Sequence, residues 1–268
     1  LGGAAESSRV AAAGNCGAAG LVFEGGPQPT ATLTLLNAAV DRDDLADAIQ
    51  TRHTNRRMYH GPGPDERLRK SIDQQTSQIP DCRLVWLEGP LRRRVQMLVW
   101  AAESERFKRR SLHQELFESI RFDLGWKAPS TEALAPSSLE VEAPMRPLFQ
   151  ALRRWPIMQG INWVGGHRAL GLRAGLMPCI RTPALAVLVT LGSSDLHAFS
   201  AGRALIRCWL AASFAGLSVQ PMAASTVLMR QSDADRGASS RLRKHLRTEW
   251  RDVLGDGVEP MMVLRMGR

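Results

Sequence analysis

Apolar and polar positions change period several times along the chain, and each change marks an element. Residues 3–17 (GAAESSRVAAAGNCG) read as a small-residue helix closed by Gly17. From 41 to 57, DRDDLADAIQTRHTNRR opens on acids, sets Leu45, Ala46 and Ile49 at helical spacing and ends on cations. That order predicts a helix whose dipole is complemented at both ends. After a loop HGPGP at 60–64, DERLRKSIDQQTSQ repeats the helical period with Leu68 and Ile72 on one face. CRLVWL (82–87) reads as a strand, and 91–122 as a long helix or helix pair broken by DLGW. The segment 127–147 carries four prolines and reads as an irregular loop or lid. Residues 148–176 are mixed helix.

PALAVLVTL (183–191) is continuous in aliphatic and β-branched residues, which predicts a strand buried on both faces. A helix is expected over 200–215, with Ser200 as N-cap and Gly216 past its end. LSVQP then makes a short strand stopped by Pro221. SSRLRKHLRTEWRDVLG (239–255) is a basic amphipathic helix with Leu242, Leu246, Trp250 and Val253 on one side, and PMMVLRMG (260–267) is a terminal strand. Helices interspersed with about four short strands fit an α+β or α/β class.

Sliding the sequence by 199 positions aligns GAAESSRVAAAGNCG with GRALIRCWLAASFAG at Gly3/Gly202, Ala5/Ala204, Ala12/Ala211, Ala13/Ala212 and Gly17/Gly216. All five identities are Gly or Ala. They fit an internal duplication, and they fit two independent helices whose small faces allow close packing.

The composition, 44% hydrophobic and 23% charged with mean hydropathy −0.18, excludes a disordered chain and a small disulfide scaffold. Cys16, Cys82, Cys179 and Cys208 are scattered without a C-x-x-C pair, which disfavours zinc and disulfides and fits a reducing, cytoplasmic setting. No window reaches the roughly 18 uninterrupted apolar residues of a membrane span, so no membrane partner is expected. The Ala/Gly-rich opening lacks the regions of a signal peptide and reads as a truncated start.

The net charge of +9 suggests a polyanion. The excess resides at 92–110, with seven basic and two acidic residues, and at 230–251, with seven basic and three acidic. Both fall on amphipathic helices with apolar partners such as Val95, Leu98, Leu242 and Leu246, so a solvated outer face is the default. With one Tyr and seven Phe, of which only Phe107 falls among these arginines, nucleic acid is disfavoured.

Common catalytic strings are absent: there is no G-x-S-x-G, H-E-x-x-H or Walker loop, and GPGPDE (61–66) lacks the third glycine of a dinucleotide fingerprint. Histidines 53, 60, 113, 167, 197 and 245 show no i, i+4 metal pair. Asp43/Asp44 and Asp233/Asp235 read as helix-initiating or loop-solvating pairs. What remains is TRHTNRRMY (51–59), where Arg52, His53, Thr54, Arg56 and Arg57 concentrate cationic and hydroxyl donors suited to a phosphate. The same cluster would also suit a solvated helix end.

R-H-T-N-R-R-M-Y resembles the R-[RH]-[ST]-x-[RK]-x-[FY] segment of nitroreductase-like flavoproteins. AGRALIRCWLAASFAGLSVQPM (201–222) is similar to that family's central helix and following strand, and 260–267 to its terminal strand. The T-N-R-R string, the G-A-A-E opening and the L-R-x-G ending are similar to the actinobacterial branch around the dormancy-associated Acg protein, in which one chain holds two nitroreductase-like halves. The resemblance spans nearly the whole chain. It implies a nitroreductase-like α+β fold, a central, mostly antiparallel sheet flanked by helices. It further implies one domain over 1–268, with pseudo-repeat halves at about 1–40 and 41–268, the first incomplete. FMN would be the cofactor and NAD(P)H the electron donor, with a nitroaromatic or quinone as small-molecule acceptor. The alternative is FMN storage with little turnover.

Carried over, Arg52, His53, Thr54 and Arg56 would contact the FMN phosphate and ribityl chain, while Arg57 faces outward or pairs with a carboxylate. Pro221 and Met222 would lie by the flavin ring, Arg265 would reach the phosphate or act one step behind it, and 127–147 would cover the flavin. No side chain need act as acid or base, no metal is implied, and the assembly would be a monomeric pseudo-dimer or a homodimer.

Overall fold

The computed structural model describes residues 1–128, 134–232 and 237–268. The chain begins with helix α1 (Gly2–Gly14) and an antiparallel hairpin of strands β1 (Gly17–Glu24) and β2 (Thr30–Ala39). Helix α2 (Glu66–Ser77), strand β3 (Cys82–Trp86) and helices α3 (Gly89–Lys108) and α4 (Arg110–Glu118) follow. A run of short helices comes next: α5 (Arg146–Leu152), α6 (Trp155–Trp163), α7 (Gly166–Gly171) and, after a π-helical turn, α8 (Met177–Arg181). The remainder comprises β4 (Ala184–Thr190), α9 (Asp195–Phe214), β5 (Ser218–Met222), α10 (Ala224–Leu228), α11 (Ser240–Leu254) and β6 (Glu259–Gly267).

Among the described residues the main sheet has four strands in the order β3-β4-β6-β5, antiparallel throughout. All seven residues of β4 are buried, and alternation explains how. Leu185, Val187 and Val189 pack with Val95 and Leu98 of α3 and Leu246 and Trp250 of α11. On the other face, Ala184 joins α2 and α9 through Ile72, Cys208 and Leu210, while Leu188 meets Ala201 and Ala204. A helix–sheet–helix sandwich of α+β class results, with the antiparallel sheet between the helices.

Local chemistry sets several boundaries. The Asp65 carboxylate accepts from Leu68 N–H and starts α2, and Ser239 caps α11 in the same way. Helix α9 begins earlier than expected, because Ser194, not Ser200, supplies the N-cap oxygen, to His197 N–H. Strand β5 continues through Pro221 to Met222, since an edge strand tolerates a residue without an N–H. The helix expected over 41–57 shrinks to a 3-10 turn at Asp44–Ala48, capped by Asp43. Beyond it the chain opens, because pairing with β5 replaces the local helical bonds. The hairpin β1–β2 has no counterpart in the sequence reading.

Helices α1 and α9, the two that align at offset 199, lie against each other, and each leads through Gly17 or Gly216 toward a strand. Their contact is close: a Cβ at Gly2 would sit 2.0 Å from Phe199 O. The basic helices are less solvated than expected. Arg92 donates to the carbonyls of Cys179, Thr182 and Pro183, Arg247 to Met229 O, and Arg94 of α3 pairs with Glu249 and Asp252 of α11. Asp233 and Asp235 lie outside the described residues, as does 129–133 within the expected lid.

Candidate functional site

The arginine-rich loop is held along the free edge of β5. Thr54 bridges Val219 in parallel, Asn55 N–H donates to Val219 O at 3.2 Å, and the Asn55 side-chain amide donates to Ser218 Oγ at 2.9 Å. Asn55 Oδ1 accepts from Arg57 N–H at 3.0 Å, which bends the loop back, and the Tyr59 hydroxyl donates to Asn55 O at 2.6 Å.

Arg265 of β6 anchors this bend from below. It is fully buried, and its guanidinium donates to Arg57 O at 2.6 Å, to Asn55 O at 3.4 Å and to Gln220 Oε1. The cation also lies over the Tyr59 ring, 4.0 Å from its centre. Burial lowers the Arg265 pKa, with Arg56 and Arg173 adding repulsion, and it pushes the Tyr59 phenol up to about 12. The Nη1 of Arg265 is buried and has no hydrogen-bond partner among the described residues.

Arg56 is half-buried. It donates to Ser138 O at 3.2 Å and pairs with no carboxylate among the described residues. Burial lowers its pKa and Arg106 lowers it further. Arg57 is exposed and pairs with Glu140 at 3.1 Å, so residues 138–140 of the expected lid rest on this loop.

The structure thus gathers Thr54, Arg56 and Arg265 beside β5, where Pro221 and Met222 also lie. Met222 itself packs into the core, with Cys179 Sγ donating to its sulfur at 3.4 Å. Pro221 has no N–H, so a main-chain donor must come from a neighbour. Arg52 and His53 are turned elsewhere: Arg52 stacks on Trp209 of α9 at 4.4 Å, and His53 is exposed with Nδ1 3.0 Å from Thr51 O. Asn55, Tyr59 and Gln220 belong to the site and were missed. Asn55 and Tyr59 both stand inside the R-H-T-N-R-R-M-Y string, whereas Gln220 had no signal of its own.

A buried guanidinium N–H without a partner and a second, desolvated arginine without a carboxylate fit an anionic oxygen group such as a phosphate. A separate cleft of about 710 Å³ lies between α1, β1, α2 and α9 and contains none of these residues. Its wall includes Arg9, Asp43, Gln75 and Arg207. Behind it the fully buried Glu6 accepts from Arg9, Arg203 and Arg207.

No family model matches the sequence, and no curated protein matches it. Among solved structures, a nitroreductase with bound FMN from Bacteroides fragilis is 8% identical, with 84% of this chain and 87% of that chain covered and a TM-score of 0.47. The FMN-dependent nitroreductase NfnB from Mycobacterium smegmatis in complex with NADPH is 17% identical, covering 84% of this chain and 88% of that one, with a TM-score of 0.42. An FMN-dependent nitroreductase from Clostridium difficile is 10% identical over 82% of this chain and 84% of that one, with a TM-score of 0.41.

Proposed function

We propose that this chain is an FMN-binding oxidoreductase of the nitroreductase type, of the Acg-like branch, located in the cytoplasm. Bound FMN supplies hydride chemistry between NAD(P)H and a nitroaromatic or quinone acceptor. The observation that carries the reading is the convergence of Arg56 and Arg265 on the 54–57 bend without a neutralising carboxylate among the described residues. Arg56, Arg265 and the Thr54 hydroxyl hold the phosphate. Arg57, tied to Glu140, keeps the covering segment in place and shields the site from water.

Charge-assisted bonds contribute about 1.5–3 kcal/mol each, so Arg56→Ala should weaken FMN retention about 10- to 100-fold. Arg52→Ala, which removes a stack on Trp209, should change it far less. Equal losses in the two variants, or none in Arg56→Ala, would refute the phosphate assignment. The seating of Ser138 and Glu140 on this loop favours a second reading, a flavin-storing protein. Yellow protein bleached by NAD(P)H supports the oxidoreductase; yellow protein that NAD(P)H never bleaches supports storage. Light scattering distinguishes a monomeric pseudo-dimer from a homodimer.

A further inference from the structure

The outer surface of α6 departs from the pattern of a surface helix. Its inner side is conventional, with Met158 fully buried and Trp155, Ile161 and Asn162 half-buried. Its solvent side should carry charge. Instead Pro156, Ile157, Gln159, Gly160, Trp163 and, in the turn just beyond, Val164 are exposed, and at about 100° per residue they form one continuous arc. Trp163 is 86% exposed and Val164 87%, so the helix ends in an uncovered apolar tip.

The exposed charges around this tip are predominantly basic, the nearby Glu103 and Glu105 being buried and paired with Arg106 and Arg109. Between 143 and 194 the sequence contains six arginines and no Asp or Glu. Arg153 and Arg154 are exposed just before α6, and Arg168 is exposed just after it. The Asn162 amide donates to Phe107 O at 3.0 Å, which brings the exposed Lys108 and Arg110 alongside the tip. Lys108 and Arg168 act electrostatically on His167, opposed by the buried Glu105, so these cations from two elements share one neighbourhood. Lys108, Arg110, Arg154 and Arg168 pair with no carboxylate among the described residues.

A protein-binding face combines an apolar core with a polar, solvent-accessible rim. An indole tip among exposed cations, with the nearby carboxylates buried, matches the layer where lipid headgroups meet acyl chains: the aromatic ring favours that boundary, and the cations are drawn to anionic headgroups. We propose that the outer face of α6 is a peripheral docking surface for an anionic lipid bilayer. Trp163 and Val164 enter the interfacial layer, and Arg153, Arg154, Arg168, Lys108 and Arg110 lie over the headgroups. No helix of the described residues is long and apolar enough to cross a membrane, so the chain docks on the surface. The expectation of no membrane partner rested on the lack of a span, which a peripheral contact does not require. The proposal is independent of the flavin reading.

Co-sedimentation of the purified chain with lipid vesicles tests it. Binding is expected to phosphatidylcholine vesicles containing phosphatidylserine and not to phosphatidylcholine alone, and it should fall as salt is added. Each basic residue at such a surface corresponds to about a fivefold change in partitioning, so Arg153→Ala with Arg154→Ala should weaken binding about 20- to 30-fold. Trp163→Ser with Val164→Ser should weaken it at least about tenfold, and circular dichroism should stay unchanged because both residues are exposed. Arg241→Ala with Lys244→Ala, on the exposed side of α11, should leave binding intact. Three results would each overturn the proposal. One is failure to bind phosphatidylserine vesicles, and another is equal loss in the α11 variant. The third is self-association in light scattering that depends on Trp163, without vesicle binding, which would make the face a protein interface.

Discussion

Glu6 offers the sharpest test of the packing between α1 and α9. Its carboxylate is fully buried and accepts from Arg9 at 2.6 Å, Arg203 at 2.8 Å and Arg207 at 3.2 Å, the last two on α9. Glu6→Gln keeps the shape but removes the charge and turns an amide N–H toward arginine donors. Breaking a buried pair by removing one partner costs about 3–5 kcal/mol, because the surviving charge is left desolvated. Arg207 retains Asp43 at 3.0 Å and Gln75 at 2.7 Å, which places the expected cost near the lower end, about 3 kcal/mol.

With a urea slope of about 3 kcal/mol per molar for a chain of this size, the unfolding midpoint should fall by about 1 M. Far-UV circular dichroism in urea measures it. A loss below about 1 kcal/mol would refute the reasoning and put the cluster on a par with exposed ion pairs. The pH dependence gives a second reading. Burial alone would raise the Glu6 pKa, but hydrogen bonds from Arg9 and Arg203 outweigh it and hold the group below the ordinary carboxylate value. Its contribution is therefore complete above the unfolded-state pKa of about 4.3 and disappears as pH falls through the lower folded value. The stability gap between the native chain and Glu6→Gln should close across that acid range.

Two further changes probe the scaffold and the site. A Cβ at Gly171 of α7 would lie 2.2 Å from Ser104 Oγ and 2.7 Å from Ser104 N, and a backbone atom cannot swing aside. Gly171→Ala should therefore cost about 1–3 kcal/mol and lower the melting temperature by about 2–4 °C per kcal/mol; an unchanged melt would contradict the tight α3–α7 contact. Arg265→Met leaves Asn55 O, Arg57 O and Gln220 Oε1 without that donor while relieving a desolvated cation. Hydrogen exchange should accelerate at residues 54–59 well before it does in β4, and uniform exchange would show that Arg265 does not anchor the loop.

The sheet and its covering helices were legible where one residue pattern has one structural solution. The aliphatic run of β4 can be satisfied only between two apolar layers, and the helical periods of α2 and α11 survive unchanged. The helix expected over 41–57 misled because its charges serve other ends. Arg42 pairs with Asp44 and Asp47, and Asp43 binds Arg207 of α9, so the acids answer to side chains rather than to a helix dipole. The loop's true conformation depends on Val219, which lies far beyond any local window. Arg265 was singled out only through the resemblance, and its burial against the carbonyls of Asn55 and Arg57 had no local signal. Arg52 and Arg56 look equivalent in sequence, and only the position of Trp209 sets Arg52 apart as a packing cation.

The place of β6 has a consequence for the order of events during synthesis. It is made after both β4 and β5, yet it lies between them, so β5 cannot join the sheet until β6 inserts. The arginine loop rests on β5 and is held by Arg265 of β6. A nascent chain that has already displayed Arg56 therefore lacks the anchor of its arginine loop until β6 has been made. On the proposed reading, anion binding is in this way postponed until β6 has joined the sheet, and a chain without β6 would carry the arginines without their anchor.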